Sequence, residues 1–246
     1  MNNYWNWDFC YPVYQPLIQL STEQIIGFEA LLRSTTCQSP ELLFRAARSA
    51  GRLYELDTTS FMRAINTFNK ADFDNPSLLI FLNVFPSTLL NPTFFDIICE
   101  NLSLKSPFRR IVLEINEANE EDKMWEVPLL GQVIRELRQY GFLIALDDVG
   151  SGAASLQKII EYEPDIVKMD RYFGKGLSRC SNKQKLISLF VDYCLGQIQL
   201  VLEGIETPED LAAAKSLGVP IGQGFLLGSP APLDHTILGT VPIGEP

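Results

Sequence analysis

A chain of 246 residues, 46% hydrophobic and 20% charged, carries enough apolar material for one sizeable core, which excludes the disordered and fibrous classes. Its net charge of -10, from 20 basic against 30 acidic residues, argues against a DNA or RNA polymer or an anionic membrane as partner. Five cysteines, at 10, 37, 99, 180 and 194, form no CxxC pair, and the opening MNNYWNWDFC has no basic or apolar signal region, so the expectation is a soluble cytoplasmic protein with reduced thiols.

In chain order, apolar runs predict strands at VYQPLIQL (13–20) and IIGFEALL (25–32), followed by helices over SPELLFRAARSAG (39–51) and LYELDTTSFMRAINTF (53–68). Strands follow at LLIFLNV (78–84) and RIVLEI (110–115), then a helix over EVPLLGQVIRELRQY (126–140) and a strand at FLIALDD (142–148). The helix SLQKIIEY (155–162), strand DIVKMD (165–170), helix NKQKLISLFVDYCLG (182–196) and strand IQLVLEG (198–204) continue the alternation. The helix PEDLAAAKSLG (208–218) is bounded by Thr207 as N-cap, Pro208 at its first position and Gly218 after its end, and GQGFLLG (222–228) predicts a last strand.

Eight such strands alternating with helices in one α/β chain predict a (β/α)8 TIM-like barrel. The link STEQ is too short for a crossover helix, so one of the first two strands should run antiparallel to the rest. No linker or low-complexity stretch interrupts the chain, so residues 1–246 read as one domain, with an N-terminal extension over 1–12, the barrel over 13–230 and a tail over 231–246.

Barrel active sites form where the C-terminal strand ends converge. Those ends carry Glu29, Asn83, Glu114, Asp147, Asp148, Asp170 and Glu203. Oxygen ligands on one rim call for hard divalent cations such as Mg²⁺, Mn²⁺ or Ca²⁺, and an aspartate pair able to bridge suggests two ions of the kind that hydrolyse phosphodiesters. Neighbouring strand residues point to opposite sides, so Asp147 and Asp148 can share a site only where the strand ends and twists, and Gly150 and Gly152 follow there. Taken alone, the aspartate pair also fits a loop start or helix N-cap, Lys168 a surface lysine, Arg33 a surface ion pair, and Glu206 an acid complementing the dipole of the last helix. His235, the sole histidine, has no second histidine or cysteine partner nearby in sequence, so Ser/His or Cys/His nucleophilic chemistry finds no support, and neither GxGxxG nor GxxxxGKS occurs.

FEALLR, FLNV, VLEINE, ALDDVGSG, VKMDR, LEGIET and GQGFLLG, in this order over nearly the whole chain, resemble the EAL-domain phosphodiesterases, which linearise cyclic di-GMP to pGpG. The resemblance implies a hydrolase using two divalent cations, Mg²⁺ or Mn²⁺, with Ca²⁺ inhibitory, and it allows a homodimer. It makes Glu29, Asn83, Glu114 and Asp147 ligands of one cation, and Asp147, Asp148 and Glu203 ligands of the other, with Asp170 in the same network. Lys168 would orient the attacking water, Glu203 is also a candidate general base, and Gln223 lies near that water. Gln15, Leu31, Arg33 and Glu206, the second acid of the EGIE motif, match substrate contacts, and Glu117 supports the loop after the aspartate pair.

The chain departs from the family pattern at Phe85, where a small polar residue is usual, at Val149 and Ala153, which replace loop aromatics, and at Ser34, where a tryptophan often follows the arginine. Degenerate relatives that bind cyclic di-GMP or a protein without turnover typically lose carboxylates or the lysine. All are present here, which favours the enzyme over the receptor reading.

Overall fold

The computed structural model describes residues 7–71, 73, 75–101, 111–116, 121–125, 128–151 and 155–233. Eight strands close into a barrel in sequence order: β1 Cys10–Gln19, β2 Gln24–Ser34, β3 Leu79–Val84, β4 Ile111–Asn116, β5 Leu143–Val149, β6 Ile166–Met169, β7 Gln199–Leu202 and β8 Ile221–Gly222. β1 pairs antiparallel with both β2 and β8, and the other neighbours are parallel. The tight STEQ link therefore does select one reversed strand, β1, which begins at Cys10, ahead of the apolar run.

The last strand corrects the expectation for 222–228. β8 is only Ile221–Gly222, and the chain turns from Gly224 onward. A Cβ on Gly224 would lie 2.1 Å from the Ile205 carbonyl oxygen, so glycine is what lets the two backbones touch where the chain turns. Leu227 is buried from within that turn, which explains why an apolar run imitates a strand.

The helices are α1 Pro40–Ser49, α2 Leu53–Lys70, α3 Pro86–Leu89, α4 Pro92–Asn101, α5 Asp122–Trp125, α6 Pro128–Gln139, α7 Ser155–Tyr162, α8 Arg171–Gly174, α9 Ser181–Cys194 and α10 Pro208–Ser216. Caps set several starts: Ser39 accepts from the Leu42 N–H, and Thr207 from the Asp210 N–H ahead of Pro208. The main core lies between strands and helices, with Phe28, Ile80, Leu113, Leu146 and Leu202 facing the helical layer. No described helix is long and apolar enough to cross a membrane.

Inside the barrel a second layer, Leu17, Phe81, Val112, Ala145, Ile166, Val201 and Ile221, seals the lumen. Because inward positions recur every second residue along a strand, the next layer up is fixed by that seal. It comprises Asn83, Glu114, Asp147, Lys168, Glu203 and Gln223 on the parallel side, and Gln15 on reversed β1. Glu29 joins it as the residue paired with Gln15 across β1 and β2. The fold therefore places the polar residues above a dry plug, at the mouth where strands end.

Candidate active site

Lys168 is fully buried, and its Nζ lies 2.7 Å from Glu114 Oε1, 2.8 Å from Glu203 Oε1, 3.1 Å from Asp147 Oδ1 and 3.2 Å from Glu29 Oε2. One ammonium thus sits at the focus of four carboxylates. Burial disfavours its charge, but Asp147, Glu114, Glu203 and Glu29 outweigh that and raise its pKa well above the usual lysine value, so it stays protonated.

The carboxylates respond unequally. Burial, reinforced by Glu29, lifts Glu114 well above the usual range. Burial also pushes Glu203 up to about 8, against the pull of Lys168. Glu29 goes the other way: burial is outweighed by Lys168 and by the amides of Gln223 and Asn83, which donate at 2.7 and 3.0 Å, and its pKa is lowered.

Asp147 and Asp148 reach one place because the strand breaks its alternation between them. The β5–β6 register shifts between Leu146 and Val149, and Asp148 adopts φ 55, a left-handed conformation that costs a non-glycine residue about 1–3 kcal/mol. Oxygens of Asp147, Asp148 and Glu203 consequently lie within 4.8 Å of one another. Gly150, at φ 95, packs under the Phe173 ring so closely that a Cβ would stand 2.5 Å from it.

These residues fit hard cations. All three clustered donors are carboxylates, and Glu114 Oε1 and Asp147 Oδ1 are buried 2.7 and 3.1 Å from the Lys168 ammonium. Asn83 presents Nδ2 to Glu29 Oε1 at 3.0 Å and Glu114 Oε2 at 3.2 Å, so its amide must turn over to offer an oxygen ligand.

Other anticipated residues fall at varying distance from this centre. Gln15 accepts from Gln223 Nε2 at 3.3 Å and donates to the Gly228 carbonyl, tying β1 to the turn after β8. Leu31 and Arg33 line a cavity of about 830 Å³ that also takes in Glu29, Asn83 and Asp148. Asp170 uses Oδ1 to cap α8, accepting from the Tyr172 N–H at 2.8 Å, and does not belong to the clustered trio. Glu206 pairs with Lys175 at 3.2 Å near the surface and does not line the cavity. Val149 is fully buried in the core. Glu117, Gly152, Ala153 and His235 lie outside the described residues.

The family model for the EAL domain matches residues 8–230. The chain belongs to the EAL-domain family. Among relatives, it is 28% identical over 227 residues to the probable cyclic di-GMP phosphodiesterase PdeD of Escherichia coli K12, covering 89% of this chain but 41% of that protein. The chain thus spans less than half the length of that relative. Among solved structures, the Klebsiella pneumoniae BlrP1 calcium/cyclic di-GMP complex superposes with TM-score 0.79 at 26% identity, over 91% of this chain and 56% of that one. The PaMucR phosphodiesterase in complex with cyclic di-GMP gives TM-score 0.80 at 24% identity, over 91% of this EAL domain and 92% of the other chain.

Sequence reasoning missed Asp57. It lies on the buried face of α2 with Phe61, Ala64 and Phe68, and accepts from the Phe85 N–H at 3.0 Å, holding the backbone just past Asn83. A carboxylate at the i, i+4, i+7 positions of an apolar helix face is the signal that could have found it.

Proposed function

We propose that this EAL domain is a metal-dependent phosphodiesterase that hydrolyses cyclic di-GMP to linear pGpG in the cytoplasm. The observation that carries the reading is the complete inward polar layer around a protonated Lys168, with Asp147, Asp148 and Glu203 converging at its open side. Glu29, Asn83, Glu114, Asp147, Asp148 and Glu203 would hold two divalent cations, Mg²⁺ or Mn²⁺, with Asp147 shared. Bound there, the cations would supply Lewis-acid stabilisation of phosphate charge and make an attacking water more acidic.

The chain's own residues divide the remaining work. Lys168 keeps its proton, so it can donate hydrogen bonds that orient a water but cannot act as base. Glu203, whose Oε1 lies 2.8 Å from Lys168 Nζ and whose carboxylate clusters with Asp147 and Asp148, is the carboxylate placed to accept a proton from that water. Arg33 offers a planar guanidinium to a non-bridging phosphate oxygen from the cavity wall. A bond then forms between water oxygen and phosphorus as the P–O3′ bond breaks; the water's proton passes to Glu203, and the freed O3′ takes up a proton from solvent to leave as the 3′-hydroxyl of linear pGpG.

Incubating purified protein with cyclic di-GMP and Mn²⁺ or Mg²⁺, and resolving products by chromatography, tests the proposal. Formation of pGpG that stops with EDTA is the expected result. Cyclic di-GMP bound but unconverted with either metal would make the domain a receptor instead.

A further inference from the structure

The cavity beside the acidic centre has a second wall that the reaction described above does not use. α1 turns Glu41, Phe44, Arg45 and Arg48 toward it at i, i+3, i+4 and i+7, and Phe85 faces it from the loop after β3. Phe44 and Phe85 meet edge to face at 5.3 Å and 66°, and both rings remain partly exposed. Phe85 is held from several sides. The Arg48 guanidinium carbon lies 5.0 Å from its ring centre, its N–H donates to Asp57, and Arg48 itself is fixed by Glu121 at 2.8 Å. Glu121 in turn accepts from the Ser87 N–H at 2.9 Å, so the wall is rigidly built.

An aromatic pair kept partly exposed in the same cavity as the Arg33 guanidinium suits a ligand that is flat and apolar on its face and charged at its backbone. Glu41 and Arg45 lie one helical turn apart at the exposed rim of this wall. A carboxylate accepts from guanine N1–H and its N2 amino group, while an arginine fork donates to O6 and N7, so the pair matches two adjoining edges of one base. Adenine offers neither combination. We propose that Phe44 and Phe85 form a purine-base subsite in which Glu41 and Arg45 select guanine. The proposal rests on the phosphodiesterase reading and names how its substrate is chosen.

The test measures Kd for cyclic di-GMP and cyclic di-AMP by calorimetry in Ca²⁺, and KM and kcat in Mn²⁺, for wild type, Phe85→Ser, Phe85→Trp and Glu41→Gln. Loss of one base-stacking ring should raise Kd and KM for cyclic di-GMP roughly ten- to hundred-fold with kcat little changed, and Phe85→Trp should retain binding. Glu41→Gln should shrink the preference for cyclic di-GMP over cyclic di-AMP by about ten-fold. Wild type that binds and hydrolyses cyclic di-GMP while Phe85→Ser shows unchanged or tighter binding overturns the subsite alone; the tighter result would make Phe85 a plug. Wild type that neither binds nor hydrolyses cyclic di-GMP overturns the phosphodiesterase reading and the subsite with it.

Discussion

Replacing Lys168 by methionine keeps the volume of the side chain and removes its charge, leaving Glu29, Glu114, Asp147 and Glu203 facing one another without the ammonium that touches all four. The lysine is 0% exposed, so water cannot take over its role. Removing one partner of a buried ion pair costs about 3–5 kcal/mol. For a chain of 246 residues each kcal/mol lowers Tm by about 2 °C, so melting in EDTA should fall by roughly 6–10 °C. Differential scanning calorimetry of both proteins in EDTA measures this directly. Mn²⁺ should then raise the Tm of the variant more than that of wild type, because cations supply the missing counter-charge. A variant melting within about 2 °C of wild type in EDTA would refute the idea that Lys168 neutralises the cluster.

Asp57 should give stability a distinctive pH dependence. Burial raises its pKa from 3.8 to about 6, so the native state binds a proton the unfolded state has lost; the contribution is full below about 3.8 and disappears as pH rises through about 6. That difference is worth roughly 3 kcal/mol, and urea unfolding of Asp57→Asn should show it as a smaller loss of stability than wild type between pH 4 and 7. Equal pH slopes for the two proteins would contradict it. Glu29→Gln should abolish pGpG formation while leaving Tm within a few degrees; retained turnover would remove Glu29 from the catalytic machinery. Gly204→Ala should destabilise the domain by about 1–3 kcal/mol, since Gly204 has φ 73 and a Cβ would lie 2.6 Å from the Arg171 carbonyl oxygen. Its turnover should also fall because Glu203 is the preceding residue, and unchanged urea midpoint and turnover would count against that packing.

The barrel was legible because its strands are buried on both faces and so read as unbroken apolar runs, and because STEQ cannot span a crossover. The polar layer was legible for the same reason: Asn83, Glu114, Asp147, Lys168 and Glu203 each interrupt or end such a run at the inward position. The eighth strand was misplaced because a turn that buries Leu227 carries the same apolar signal as a strand. Helix α4 went unread although Asn91 accepts from the Thr93 N–H ahead of Pro92, much the cap signature recognised at Thr207 and Pro208. The distribution of charge could not be read. That Lys168 touches four carboxylates, and that Asp57 anchors the loop after Asn83, depends on pairings between strands and helices far apart in sequence.

Manganese binding followed by electron paramagnetic resonance, in parallel with turnover of cyclic di-GMP, tests the central claim most directly when wild type is compared with Asp147→Asn. Wild type should take up two Mn²⁺ and release pGpG, whereas Asp147→Asn should bind fewer ions and lose turnover together. Two ions bound and full pGpG release in Asp147→Asn would contradict the assignment of the barrel mouth as a shared two-cation site.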